Sequence, residues 1–215
     1  MILNNFFSKS FCINLDRRQD RWTSITKKFN DFGIVAERYS AFDGKTLTLP
    51  YPHSSELGGT ISHLNVIKMA KELNLKNVLI YEDDVEFDSN ISEKFESIIP
   101  QIPEDWDLIY FGGNHQGPIK QISENIFKLS HTYALQMYAV NSKSYDTIID
   151  FLEDKVNKVL DKKVSFKPSV AADFYLSLLQ PKLNCYCIRP HLTWQIQDYS
   201  DIQEHIVNYD YLLKK

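Results

Sequence analysis

Cysteine is scarce in this sequence, and positive charge is not in surplus. The three cysteines among 215 residues are Cys12, Cys185 and Cys187. Cys185 and Cys187 share one face of a predicted strand, yet a pair without a nearby histidine or further cysteine makes a poor zinc site. We therefore expect plain buried thiols and a reducing compartment. The formal net charge of −4 argues against nucleic acid as the main partner.

Long apolar runs are also missing. No window of about 18 apolar residues occurs in the sequence, so no transmembrane helix is predicted. The N-terminus has neither a long apolar segment nor a small-residue cleavage site, so no signal peptide is predicted. We expect a protein of the cytoplasm or of the cytoplasmic face of a membrane, and the sequence leaves its oligomeric state open.

Apolar residues are nevertheless plentiful enough for a large core. They make up 43% of the chain, and aromatic residues make up 13%, which predicts a folded protein. Segments 78–81 and 108–111 are uniformly apolar and predict buried strands, whereas residues 145–159 carry apolar side chains at helical spacing. Strands that alternate with helices predict an α/β fold with a mostly parallel central sheet flanked by helices. Without a repeat or a low-complexity linker, residues 1–215 are predicted to form a single domain.

Local signals predict where several elements begin and end. Apolar side chains at helical spacing predict a helix within residues 17–32, and Gly33 fits the position just after its end. Residues 45–60 are rich in proline, serine and glycine and are predicted to be a loop. Ser62 is then predicted to cap the following helix. Residues 131–141 predict one continuous strand.

Three consecutive carboxylates, Glu82, Asp83 and Asp84, follow the apolar run 78–81. Carboxylates anchored near a core are costly unless something neutralises them. A solvated acidic loop is one interpretation. A divalent metal clamp is another, because residues i and i+2 of an extended segment point the same way and hard cations bind oxygen ligands. A phosphate-receiver domain is disfavoured, because it needs an aspartate after a later strand, where segment 112–114 reads GGN.

Seven segments, spread over nearly the full chain, form a recognisable series. They read CINLDRRQDRW, AFDGK, GGTISHLNVIKMAKE, VLIYEDDVEF, WDLIYFGG, MYAVNSKSYDTII and IRPHLTWQIQDYSDI. Their order resembles glycosyltransferase family 25, which includes bacterial lipopolysaccharide galactosyltransferases and procollagen galactosyltransferases. The resemblance implies a GT-A type nucleotide-diphosphate-sugar transferase fold, with a nucleotide-binding half in about residues 1–115 and an acceptor-side half in about residues 116–215. It also implies a UDP-sugar donor carrying galactose or glucose, inversion at the anomeric carbon, and Mn²⁺ or Mg²⁺ as cofactor.

The resemblance suggests roles on the nucleotide side of the site. Asn14 and Leu15 end the first strand, where a backbone edge and an amide would read uracil, and the alternative for Asn14 is a residue that caps a turn. Arg17 and Arg21 share one face of the predicted helix, so both would reach a diphosphate. Asp43 would accept a ribose hydroxyl, and the alternative is a plain turn residue.

Metal and phosphate roles follow from the same resemblance. Ser62, as a helix cap, would leave backbone N–H groups for an anion. His63 beside it would touch phosphate or orient a metal ligand, and the alternative is a histidine packed in a turn. Asp84 is the strongest predicted metal ligand. Glu82 or Asp83 would share that role or hold the ribose.

An inverting transfer needs a general base that takes the proton of the acceptor hydroxyl. Asp173 matches a carboxylate that the family carries before its late helix, and it also fits the cap of that helix. Asp201 is the rival base, and His191 is a further option as a metal ligand. The acceptor is expected to be a hydroxyl of a glycan or of a protein, including one of the hydroxylysine type.

Two other functions stay open on the sequence alone. The same fold can serve as a catalytically silent module that binds the nucleotide sugar without turnover. A metal-dependent phosphohydrolase is the second alternative, but it normally needs more scattered carboxylates or histidines to hold two ions, and the sequence shows one cluster.

Overall fold

The computed structural model describes residues 2–49, 53–161, 169–202 and 204–208 of the chain. Its α-helices are, in chain order, α1 (Leu3–Phe6), α2 (Gln19–Phe32), α3 (His53–Glu72), α4 (Ile91–Ile98), α5 (Tyr145–Leu160) and α6 (Ala172–Leu179). Its strands are β1 (Lys9–Asn14), β2 (Glu37–Ser40), β3 (Asn77–Glu82), β4 (Val85–Phe87), β5 (Leu108–Tyr110), β6 (Asn114–His115), β7 (Lys120–Gln121), β8 (Ile126–Lys128), β9 (Thr132–Tyr133), β10 (Met137–Asn141), β11 (Cys185–Ile188), β12 (Thr193–Gln195), β13 (Asp198–Ser200) and β14 (His205–Val207). None of the helices in these ranges is long and apolar enough to span a membrane.

Eight of the described strands form a central sheet in the order β2-β1-β3-β10-β5-β11-β8-β7. Six of them run in one direction, and β10 and β8 run against them. This mixed, mostly parallel sheet flanked by helices confirms the predicted α/β fold class. Strand β10 lies between β3 and β5, and its register places Tyr138 opposite both Ile80 and Tyr110. The pairs β4–β12, β6–β9 and β13–β14 lie outside this sheet.

The inner strands β3, β10, β5 and β11 are buried on both faces, which explains why they are almost entirely apolar, whereas the edge strands β2 and β7 are polar and exposed. Val78 and Ile80 of β3 belong to the core layer that includes residues of α3, α5 and α6. Leu79 and Tyr81 alternate with them and belong to the layer that includes residues of α1, α2 and α4. All three cysteines are free and buried, as predicted.

Helix α2 ends as its sequence predicts. Gly33 has a left-handed φ of 64°, which a glycine adopts without a Cβ clash. The N–H of Ile34 then donates to the carbonyl of Phe29 at 2.8 Å and closes the helix end. The helix begins at Gln19, so Arg17 precedes it and the predicted shared helix face of Arg17 and Arg21 is wrong.

Helix α3 begins at His53, well before its predicted cap at Ser62. Residues 53–60 of the predicted loop 45–60 are therefore helical. Residues 50–52 of that loop lie outside the described residues. Gly58 explains the difference, because a Cβ there would lie 2.6 Å from the backbone nitrogen of Gly44. This close contact between helix and turn outweighs the poor helix propensity of glycine.

The predicted continuous strand over residues 131–141 is interrupted. Strand β9 pairs with β6 outside the main sheet, and β10 enters the main sheet between β3 and β5. The chain changes direction at Ala134, whose φ of 72° lies in the left-handed region. Residues 133–135 thereby become part of a cavity wall.

Candidate active site

A cavity of about 710 Å³ lies at the carboxyl ends of β1 and β3. Ligands of α/β proteins bind at such strand ends. Its lining contains eleven of the residues that the sequence suggested for function, namely Leu15, Arg17, Arg21, Asp43, Ser62, His63, Glu82, Asp83, Asp84, Asp173 and Asp201. Segments that are far apart in the chain therefore meet around one cavity.

Arg21 is the positive charge closest to the acidic triplet. Its Nη1 donates to Asp83 Oδ1 at 2.9 Å and to Asp84 Oδ2 at 3.4 Å. Its Nε donates to Asp198 Oδ2 at 3.0 Å. One guanidinium therefore serves three aspartates, and negative charge remains in excess at the cavity floor.

Asn14 lies behind the triplet instead of facing a ligand. Its side chain is buried, and Nδ2 donates to Asp83 Oδ2 at 2.7 Å while Oδ1 accepts from Arg38 Nε at 2.8 Å. Both polar atoms of its amide are thus hydrogen-bonded to other side chains of the protein, and the predicted contact with uracil is not supported. Leu15, the next residue, does line the cavity.

Asp84 is a largely buried carboxylate, with its side chain 18% exposed. Burial and the neighbouring charge of Glu82 raise the pKa of Asp84 to about 7, despite Arg21. Its Oδ1 is buried and has no hydrogen-bond partner among the described residues. An acceptor oxygen without a donor, next to a second carboxylate, suits a hard cation.

Glu82 is held from two sides. Nε2 of His63 lies 3.2 Å from Glu82 Oε1, and Gln195 Nε2 donates to Glu82 Oε2 at 3.3 Å. Nδ1 of His63 lies 2.9 Å from the hydroxyl of Tyr138. His63 therefore holds the Glu82 carboxylate in place, and its predicted role of orienting a metal ligand stays a prediction.

The oxygen atoms of this cluster can hold a divalent cation only if a bound substrate supplies further metal ligands. Glu82 and Asp84 offer carboxylate oxygens, and Gln195 offers an amide close to both. Among the described residues, no group of three or more His, Cys, Asp or Glu side chains is arranged to hold a metal. Mg²⁺ and similar ions are often bound by one or two carboxylates plus substrate phosphates, which agrees with this short donor set.

Ser62 lies inside α3 and does not cap it. Its Oγ donates to the carbonyl of Gly58 at 2.8 Å and accepts from the backbone N–H of Phe42 at 2.9 Å. The expected anion site at a helix N-terminus beside Ser62 is therefore wrong, because the helix continues on both sides of this residue. Ser62 instead ties α3 to the segment that leads into Asp43.

Arg17 and Asp43 form an ion pair at the cavity wall, with Arg17 Nε and Asp43 Oδ2 3.0 Å apart. Arg17 and Arg18 also both donate to Asp201. Partial burial raises the pKa of Asp201, but the two arginines outweigh it and hold this pKa below its usual value. A carboxylate so strongly paired is a poor proton acceptor, which disfavours Asp201 as the base.

Asp173 lies in the first turn of α6, and the cap of that helix is Ala171. The predicted capping role of Asp173 is therefore wrong. Its Oδ2 accepts from the N–H of Ala134 at 3.3 Å, and its Oδ1 accepts from the N–H of Phe174 at 2.7 Å. Burial raises the pKa of Asp173, although both N–H groups act in the opposite direction. This combination suits a carboxylate that accepts a proton from a substrate.

His191 is placed away from this cluster. Its Nε2 lies 3.0 Å from Nε2 of His115, and neither ring lines the cavity. Burial and the nearby His191 lower the pKa of His115 to about 4. The option of His191 as a ligand for a metal at Asp84 is therefore not supported.

Among the cavity residues that were given no role from the sequence, Gln195 and Glu56 are polar side chains that contact other groups of the site. Gln195 stands in the tail segment of the motif series, and its position there was the available signal. Glu56 precedes the Gly58-Gly59 pair, where a helix was not predicted, so nothing in the local pattern placed it at the cavity.

The left-handed backbone of Ala134 leads to a stability prediction. We expect Ala134→Gly to raise the free energy of unfolding by on the order of 1 kcal/mol, because glycine adopts positive φ without the Cβ clash. Urea denaturation measures the change. Ala139→Gly in β10 is the control and should destabilise the protein, since a buried strand position gains nothing from glycine. A loss of stability in Ala134→Gly would show that the left-handed backbone of Ala134 is not strained.

Comparison with known proteins gives the family of the chain. A model described as glycosyltransferase family 25 (LPS biosynthesis protein) matches residues 7–167. A glycosyltransferase 25 family member of Drosophila melanogaster is 30% identical over 157 residues, which cover 61% of this chain and 26% of that protein. Procollagen galactosyltransferase 2 of Mus musculus is 28% identical over 171 residues, which cover 66% of this chain and 27% of that protein.

A third relative carries a different description. The probable inactive glycosyltransferase 25 family member 3 of Rattus norvegicus is 27% identical over 140 residues, covering 54% of this chain and 24% of that protein. The chain thus spans about a quarter of the length of these three relatives. The family model matches well over half of the chain. The chain therefore belongs to glycosyltransferase family 25.

Proposed function

We propose that this chain is a metal-dependent inverting glycosyltransferase that moves a hexose, galactose or glucose, from a UDP-sugar to a hydroxyl of a glycan or protein. The observation that carries this proposal is one cavity that gathers an acidic triplet, two arginines and a separate, partly buried carboxylate, Asp173. The family and the name of the mouse relative support a transferase of this kind.

The donor side of the site is built from the strand ends. Glu82 and Asp84 would hold the cation, and Arg17 and Arg21 would neutralise the diphosphate. A bound divalent ion would stabilise the negative charge that develops on the departing nucleotide. Because both arginines are paired with aspartates here, the phosphates would replace carboxylates as their partners.

The acceptor side is built around Asp173. Its carboxylate would take the proton of the acceptor hydroxyl while that oxygen bonds to the anomeric carbon. The bond from the anomeric carbon to the diphosphate oxygen breaks, and UDP leaves with the electron pair. Tyr133, Ala134 and Leu135 line the wall beside Asp173 and would contact the acceptor or the sugar. The division into halves at about residue 115 stays a prediction.

Thermal unfolding with UDP, and with UDP-galactose and UDP-glucose, each with and without Mn²⁺, tests the donor site. A ligand at about 100 times its Kd stabilises by about 2.7 kcal/mol, which corresponds to roughly 5–10 °C in Tm for a domain of this size. We expect a Mn²⁺-dependent rise that Asp84→Ala abolishes. Glu86→Ala is the control, since Glu86 pairs with Lys28 and does not line the cavity. No rise with any uridine nucleotide in the presence of Mn²⁺ would contradict the proposal.

A silent nucleotide-sugar-binding module is the second candidate. The pairing of Arg17 and Arg18 with Asp201, and the description of the rat relative as probably inactive, favour considering it. UDP release from each UDP-sugar, with water or an added acceptor, separates the two functions. A Mn²⁺-dependent rise in Tm without any UDP release would support the silent module.

A further inference from the structure

The backbone of Val170 is held by α3 at both of its polar groups. The N–H of Val170 donates to Glu56 Oε2 at 3.1 Å, and Thr60 Oγ1 donates to the carbonyl of Val170 at 2.7 Å. Glu56 and Thr60 lie one turn apart on α3, so they face the same segment. Val170 itself is buried and leads directly into α6.

Glu56 is a charged residue that makes this contact with little exposure to solvent. Its side chain is only 15% exposed, lines the cavity and also lies 3.2 Å from Nδ1 of His53. A buried carboxylate is costly unless hydrogen bonds compensate. The hydrogen bond between them therefore stabilises both groups: it compensates the Glu56 carboxylate for lost hydration, and it gives the N–H of Val170 an acceptor.

Asp173 depends on where the chain enters α6. Among the described residues, its hydrogen bonds come from the backbone N–H groups of Ala134 and Phe174. Backbone donors move only with the chain, so the depth of this carboxylate in the cavity follows the position of residues 170–173. Glu56 and Thr60 hydrogen-bond to Val170, three residues before Asp173.

We propose that Glu56 is a positioning residue for Asp173, acting through its hydrogen bond to the backbone of Val170. This inference rests on the proposed function, in which Asp173 is the base. Charge is not the link between them, because the charged groups that act most on Asp173 are Glu82 and His63. The link is the hydrogen bond, and a neutral acceptor of the same shape should preserve it.

An NMR titration of the Asp173 carboxyl, in protein labelled with ¹³C-aspartate, tests this directly. The Asp173 signal is assigned by its absence in Asp173→Asn. In Glu56→Ala we expect the start of α6 to loosen and admit water, so the pKa of Asp173 should fall toward its usual value near 3.9. Glu56→Gln keeps an acceptor oxygen for Val170 and should stay close to wild type. Thr60→Val should shift the signal in the same direction as Glu56→Ala, by a smaller amount.

Asp107→Ala is the matched control for a structural carboxylate. Asp107 Oδ2 accepts from the backbone N–H of Asn184 at 2.8 Å, ahead of β11 and outside the cavity lining. This variant should lose Tm without moving the Asp173 signal. If Glu56→Ala behaves like Asp107→Ala, Glu56 is merely structural and the inference is wrong. Equal shifts in Glu56→Gln and Glu56→Ala would assign the effect to charge and also overturn it.

Turnover separates this inference from the proposed function. We expect UDP release to fall about tenfold in kcat in Glu56→Ala, with little change in the KM for the donor, and Glu56→Gln to recover most of it. Full activity of Asp173→Asn would show that Asp173 is not the general base, even if Glu56→Ala still shifted the pKa of Asp173. Loss of activity in Asp173→Asn with an unchanged Asp173 signal in Glu56→Ala would leave the base intact and refute the role of Glu56.

Discussion

Replacing Asp173 by asparagine should lower sugar transfer by roughly 10²- to 10⁴-fold, the range that a general base contributes. Asparagine keeps the shape of the side chain and can still accept from the N–H of Ala134, but it cannot take a proton. Donor binding should therefore persist, seen as an unchanged rise in Tm with UDP and Mn²⁺. The measurement is UDP release under saturating donor.

Asp201→Asn is the control for the base assignment. Asp201 pairs with Arg17 and Arg18, so its loss should change donor binding more than the chemical step. Activity that survives in Asp173→Asn and disappears in Asp201→Asn, with donor binding intact, would transfer the role of base to Asp201.

The pH profile of transfer should carry the same signature. A base works only when ionised, so kcat rises with pH through the pKa of Asp173, which burial raises above the usual value. This acidic limb should be absent from the residual activity of Asp173→Asn. An identical limb in both proteins would show that a different group titrates.

Arg21→Met should destabilise the folded protein by about 3–5 kcal/mol at pH 8, the range seen when one partner of a buried ion pair is removed. The side chains of Arg21 and Asp83 are only 12% and 11% exposed, and Arg21 also serves Asp84. Lys28→Met in the same helix is the control. Lys28 pairs with Glu86 away from the cavity, and such a pair is worth about 1 kcal/mol or less.

The loss in Arg21→Met should depend on pH. Asp84 has a pKa of about 7 in the folded protein, against a usual value of 3.8. The folded state therefore keeps a proton that the unfolded state releases, and stability falls as pH rises from about 4 to about 7. Removing Arg21 raises the pKa of Asp83 and Asp84 further, so the deficit should be larger at pH 8 than at pH 5.

Urea denaturation at both pH values measures this dependence. Asp84→Asn in the Arg21→Met background should restore part of the stability at pH 8, because it removes one of the unpaired charges. Equal destabilisation at pH 5 and pH 8 would mean that Arg21 acts through packing alone.

Several features of this protein could be predicted from local patterns alone. The uniformly apolar strands, the end of α2 at Gly33 and the acidic triplet after β3 all follow from signals within a few residues of each other. Each of these features depends on neighbouring residues alone. A strand buried on both faces must be apolar, a glycine adopts the left-handed conformation that ends a helix, and adjacent carboxylates repel each other, whatever the distant segments are.

Other features needed the tertiary structure, because they depend on contacts between residues far apart in the chain. The start of α3 depends on Gly58 packing against the backbone of Gly44, and Ser62 became an interior helix residue for the same reason. The sequence by itself determined which elements form and which charged groups stand at the strand ends. Only the tertiary structure decided that the Asn14 amide donates to Asp83 and that Arg21 is shared among aspartates. It also decided that one oxygen of Asp84 has no hydrogen-bond partner within the described part of the chain. Local sequence encodes periodicity and turn chemistry, whereas the partner of each buried polar atom is set by distant segments that the fold brings together.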